Sequence, residues 1–139
     1  MLHPELLAAL AGAGHGTRVL VADGNYPLDV GAPLSARRIY LNVCRGLVGA
    51  AQIVELLKQT IPVEAAVLME PPYGQAVDIQ ATYREILGPS VSFERRKRQA
   101  FYDEARSPMT SIVIATGEER RFANLLLTIG VIRLEGDVR

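Results

Sequence analysis

The sequence predicts a single α/β domain over residues 1–139, layered, with a largely parallel central sheet flanked by helices. Short apolar runs rich in β-branched residues alternate along the chain with segments whose apolar residues recur at helical spacing. That alternation is the pattern of a parallel sheet covered by helices. A chain of 139 residues is also close to the modal size of one domain, enough to bury roughly two-thirds of the surface its unfolded form exposes.

The elements follow in order. Pro4 suits a first helical turn, and Leu6, Leu7 and Leu10 continue a short helix until Gly12 and Gly14 break it. Val19-Leu20-Val21-Ala22, bounded by Gly16 and Asp23-Gly24, reads as a buried strand. Residues 26–35, with Pro27, Gly31 and Pro33, form a long loop, of the kind that often carries function. Arg38 to Val43 alternates as a strand, Gly49 to Gln59 has helical spacing, and Ala65 to Met69 is a further apolar strand. Val77 to Leu87 is helical, Val91-Ser92-Phe93 is a brief strand, and Glu94 to Arg106 is read as a helix with a basic start. Ser111 to Ala115 and Leu125 to Ile129 complete the strands. There is no internal repeat, low-complexity tract or linker.

Composition narrows the function. Fifteen basic residues balance fifteen acidic ones, so no long-range field gathers nucleic acid or anionic lipid. With no Trp and 6% aromatics the chain has few platforms for stacking bases. The single Cys44 excludes an intrachain disulfide and fits a reducing compartment, no apolar run has the length of a membrane span, and Met1-Leu2-His3-Pro4-Glu5 lacks the basic start of a signal peptide. The expected location is the cytoplasm. A mean hydropathy of +0.15 is high for a small monomer and points to apolar surface buried between copies.

Chemistry concentrates around His15 and Asp23. His15 sits between two glycines just before the first strand, and Asp23 follows just after it. Imidazole titrates near neutral pH, which suits acid/base work. Gly-His-Gly and Asp-Gly are equally ordinary turn material, so spacing leaves both readings open. A five-residue strand between them would separate the two side chains by about 17 Å if both stayed in line with it. They converge only if the flanking turns fold back or if one meets a partner from another subunit. Arg95-Arg96-Lys97-Arg98 reads as a solvated helix start paired with Glu94, Asp103 and Glu104. Thr116-Gly117-Glu118 reads as a turn, and His3 as a residue of the terminus. No phosphate-binding Gly-rich loop, nucleophile elbow or metal-ligand spacing occurs.

Taken together, Glu5-Leu6-Leu7, Gly14-His15-Gly16, Ala22-Asp23, Tyr26-Pro27, Met69-Glu70, Arg98-Gln99-Ala100-Phe101-Tyr102, Thr116-Gly117-Glu118 and Phe122-Ala123-Asn124-Leu125-Leu126-Leu127 before Gly130-Val131 resemble, in order and over almost the whole chain, the family of D-ribose pyranases and L-fucose mutarotases. The resemblance implies a ribose-pyranase-like fold, a cofactor-free isomerase that interconverts sugar anomers, a monosaccharide partner and a ring of ten chains. It places the general acid/base on His15 and sugar binding on Asp23, with Arg98 and Asn124 completing a polar ring and Tyr102 and Phe122 as walls. Arg98, four positions before Tyr102, resembles the fucose branch; the ribose branch has a histidine near there. Phe122 departs from the family's Tyr and lacks its hydroxyl. That departure, with the differing loop after Pro27 and segment Glu70-Pro71-Pro72-Tyr73, keeps two alternatives open: a D-ribose pyranase and a non-catalytic sugar-binding module.

Overall fold

The computed structural model describes residues 1–137. Four helices, α1 (Pro4–Ala11), α2 (Ala50–Thr60), α3 (Asp78–Leu87) and α4 (Arg98–Ala105), surround strands β1 (Arg18–Ala22), β2 (Arg37–Tyr40), β3 (Val63–Met69), β4 (Ser92–Arg96), β5 (Thr110–Ala115) and β6 (Leu125–Ile129). The strands form one sheet in the order β2-β5-β1-β6-β3-β4. β1 and β2 run parallel to β5, and β3 runs parallel to β4, while β6 is antiparallel to both β1 and β3. Five strands therefore point one way and β6 alone is reversed. The start of β6 consequently lies at the same edge of the sheet as the ends of the other five.

Period-two alternation divides the strand side chains between two faces. Val19, Val21, Ala66, Leu68, Ile112, Ile114, Leu125 and Leu127 face α1, α2 and α3, with Leu10, Val54, Leu57, Ile79 and Tyr83 filling the layer. Leu20, Ala22, Val67, Met69, Val113 and Leu126 face α4, whose Phe101 and Ala105 close the second layer with Tyr26, Ala32 and Ala36 from the long loop. The loop is thus part of the core. Arg38 organises it, its guanidinium donating to the carbonyls of Leu28, Pro33, Ala36 and Ala32.

Two expectations are corrected. Residues 94–96 are strand, not helix: β4 pairs with β3 from Ser92 to Arg96, and α4 begins only at Arg98. Backbone pairing with Val67, Leu68 and Met69 outweighs helix propensity there, and charges suit an exposed edge strand. The basic run accordingly straddles the end of a strand, with Arg96 paired to Glu94 and Glu104. His3 is held, its Nδ1 accepting from the Leu6 N–H at 3.1 Å as the cap of α1.

Candidate active site

A half-open cavity of about 90 Å³ lies at the edge where the five parallel strands end, the usual ligand side of an α/β sheet. It is lined by Asp23, Asn25, Tyr26, Met69, Arg98, Tyr102, Arg121, Phe122 and Asn124. Ligand pockets commonly measure roughly 300–1,000 Å³, so this volume is a fraction of a site.

Asp23 arrives directly from the end of β1, and Asn124 directly precedes β6; their proximity follows from the reversed direction of β6. The Asp23 N–H donates to Asn124 Oδ1 at 2.7 Å, and Asp23 Oδ1 accepts from the Asn25 N–H at 2.9 Å. The side chain is 5% exposed. Burial holds its carboxyl above the ordinary carboxylate range; nearby Glu118 pushes the same way, and the backbone N–H groups of Asn25, Ala123 and Tyr26 pull against them.

The walls are aromatic. Tyr26 is buried edge-on against Phe101 and Tyr102, its hydroxyl donating to the Gly31 carbonyl at 2.7 Å. A Cβ at Gly31 would stand 2.4 Å from the Tyr26 ring, which explains the glycine. Because the Tyr26 hydroxyl is committed to the backbone, Tyr102 carries the phenol free to meet a ligand; it accepts from Arg98 Nε at 3.3 Å, and the Arg98 guanidinium lies over its ring. Arg121 lies over the Phe122 ring at 5.2 Å.

Beside this cavity Glu118 ties the loop between β5 and β6 to the start of α2. It is 6% exposed, pairs with Arg120 at 2.9 Å and accepts from the first N–H of α2 at Ala50. Arg120 holds its carboxyl below the usual range against the opposing effect of burial.

Five of the six residues singled out in the sequence, Asp23, Arg98, Tyr102, Phe122 and Asn124, line this one cavity. His15 does not. It precedes β1 and so occupies the opposite edge of the sheet, with its side chain 59% exposed and Nε2 2.7 Å from Glu64 Oε1. Gly16, at φ 85°, turns the chain there into β1. Sequence reasoning missed Asn25, Met69 and Arg121 as lining residues; Asn25 was legible as the third residue of an Asx turn after Asp23. Among the described residues no group of three His, Cys, Asp or Glu side chains is placed to hold a metal ion, and no helix is long and apolar enough to cross a membrane.

Residues 1–132 match the family model described as the RbsD / FucU transport protein family. The chain belongs to that family. An L-fucose mutarotase of Glaesserella parasuis is 29% identical over 144 residues, covering 94% of this chain and 90% of that protein. The fucose mutarotase of Streptococcus pneumoniae, solved in complex with L-fucose, superposes with a TM-score of 0.75 at 25% identity over 95% of both chains. Bacillus subtilis RbsD, solved with D-ribose, shares the fold with a TM-score of 0.84 at 22% identity over 96% of both chains.

Proposed function

We propose that this RbsD / FucU family member is a monosaccharide mutarotase, an isomerase acting on L-fucose or a related sugar. The observation that carries the reading is the buried Asp23, whose backbone N–H is held by Asn124 and whose carboxylate, accepting from the Asn25 N–H, lines a cavity with aromatic walls. Carboxylate and amide groups bind sugar hydroxyls, and ring faces suit the apolar faces of a pyranose. The family relatives named as fucose mutarotases support the reaction and the sugar.

Mutarotation requires a proton removed from the anomeric hydroxyl as the bond from the anomeric carbon to the ring oxygen breaks, and a proton delivered to that oxygen. Closure on the other face of the aldehyde reverses both transfers. We assign the proton transfer to His15, the orientation of hydroxyls to Asp23, Arg98 and Asn124, and the walls to Tyr102 and Phe122. Because the reaction proceeds unaided in water, general acid/base catalysis of about 10²–10⁴-fold suffices.

His15 lies at the far edge of its own sheet, so the histidine that serves each cavity belongs to a neighbouring copy. Apolar side chains stand exposed at both edges: Val131, Ile132 and Leu134 follow β6 at the His15 edge, and Tyr40 ends β2 and Val43 follows it at the cavity edge. A contact that joins one edge to the other is head-to-tail and generates a ring when its rotation closes. A ring of ten chains is the assembly we propose. The single free thiol of Cys44 suits the cytoplasm, where we place the protein.

Saturation-transfer NMR of L-fucose anomers tests the reading. Wild type should speed exchange, and His15→Ala and Asp23→Asn should each abolish most of it. Co-refolding the two variants should restore up to about a quarter of wild-type exchange, since half the chains carry each intact group. No exchange by wild type with any monosaccharide would end the mutarotase assignment, and no restoration would end the shared site.

A further inference from the structure

The cavity is lined by residues that face it, yet the segment carrying Phe122 and Asn124 is held from behind. Phe122 adopts φ 58°, in the left-handed region that non-glycine residues avoid. Such a conformation persists only where its surroundings enforce it. Here the enforcing groups come from α3, in the layer across the sheet from α4, which supplies Arg98 and Tyr102. Gln80, 1% exposed, donates both amide hydrogens to backbone carbonyls, of Met69 at 2.8 Å and of Phe122 at 3.0 Å. Both acceptors belong to cavity-lining residues. One turn further on, the fully buried Tyr83 donates its hydroxyl to the Ala123 carbonyl at 2.6 Å. Burial raises the Tyr83 hydroxyl above its ordinary range and so keeps it a donor. The next residue, Asn124, is the one that accepts from the Asp23 N–H.

We propose that Gln80 and Tyr83 are positioning residues that clamp the Phe122–Asn124 segment, with Phe122 in its left-handed conformation, and thereby set the sugar-binding wall, an inference that rests on the mutarotase reading of the cavity. The unused half of the Gln80 amide supports the assignment. Its Oε1 is buried without a hydrogen-bond partner among the described residues, an arrangement that opposes stability and is absent from an apolar side chain of similar size. What the glutamine adds over such a side chain is its pair of donors. They bind the end of β3 to the strained turn before β6, so the two cavity walls at Met69 and Phe122 cannot separate.

The test has one arm that needs no sugar. Gln80→Leu should lower Tm by roughly 4 °C, and the loss should shrink by at least half when Phe122→Gly is present, because glycine adopts this φ without strain and needs no clamp. The second arm measures anomer exchange. Gln80→Leu should raise KM about tenfold, and Tyr83→Phe about threefold, with smaller changes in kcat, because the clamp sets sugar binding rather than proton transfer. Gln80→Glu adds a pH signature: a protonated carboxyl still donates to one carbonyl, whereas the ionised form repels both. Its kcat/KM relative to wild type should therefore fall as pH rises from 5 to 8. Additive Tm losses in the Gln80→Leu/Phe122→Gly pair, an unchanged KM in Gln80→Leu, or a pH-independent Gln80→Glu ratio would each overturn the clamp. A wild-type protein that exchanges no sugar would overturn the mutarotase reading instead, and the thermal arm would still decide the clamp.

Discussion

The two edges of the sheet are built on opposite terms. At the edge where the parallel strands end, buried polar groups are bound: Asp23 to Asn124, Glu118 to the start of α2 and to the exposed Arg120, Gln80 to two carbonyls. At the other edge His15 stands in solvent against a half-exposed Glu64. A buried polar group costs stability unless it is satisfied, so the first edge carries a preorganised wall. An exposed imidazole on a glycine-flanked turn is free to be met by another molecule. On the proposed reading, the contrast separates recognition from proton transfer within one chain.

Removing the proposed proton carrier should give the largest effect. His15→Ala is expected to lower anomer exchange by about 10²–10⁴-fold while leaving Tm nearly unchanged, since the side chain is mostly exposed. Saturation-transfer NMR and a melting curve read the two sides of that claim.

At the buried edge, function and stability should oppose one another. Asp23→Asn is expected to cut exchange by at least tenfold and to raise stability at pH 7. Its folded-state pKa lies above the ordinary 3.8, so ionisation is harder in the folded chain than in the unfolded one. The resulting penalty grows as pH rises from 3.8 through the folded value and is complete above it. Urea denaturation of wild type and variant should therefore show an advantage for the variant at pH 7 that vanishes below pH 3.8.

Glu118 has the reverse sign. Its folded-state pKa is lowered from 4.5, so it contributes stability above that value and loses it as pH falls through the folded one. Glu118→Gln is expected to cost about 1–2 kcal/mol at neutral pH, with the deficit narrowing in acid, by the same denaturation series. Smaller again, Tyr26→Phe removes the hydroxyl bound to Gly31 and should cost about 1 kcal/mol without changing kcat. The smallest change is expected from Phe122→Tyr, which adds a hydroxyl to this wall. Exchange should shift by less than about fivefold, because Tyr102 already presents a phenol to the cavity.

Much of this architecture was legible in the chain. The apolar runs at Val19–Ala22, Ala65–Met69, Ser111–Ala115 and Leu125–Ile129 are all strands, because local β-branched content and burial agree there. The Glu94–Arg96 stretch was misread as helix because its charges carry no period and only pairing with β3 makes it extended. Motif order picked out Asp23, Arg98, Tyr102, Phe122 and Asn124, whereas Gln80 and Tyr83 look in sequence like two more positions on an amphipathic helix.

Sequence by itself determined the layered α/β class, the family, and most of the residue types that line the cavity, because these depend on local periodicity and short ordered motifs. Only the tertiary structure decided where those residues stand. The reversal of β6 brings Asn124 to Asp23 from 101 positions away, and the direction of β1 sends His15 to the other edge. Strand direction is set by long-range pairing, which no local pattern of residues encodes.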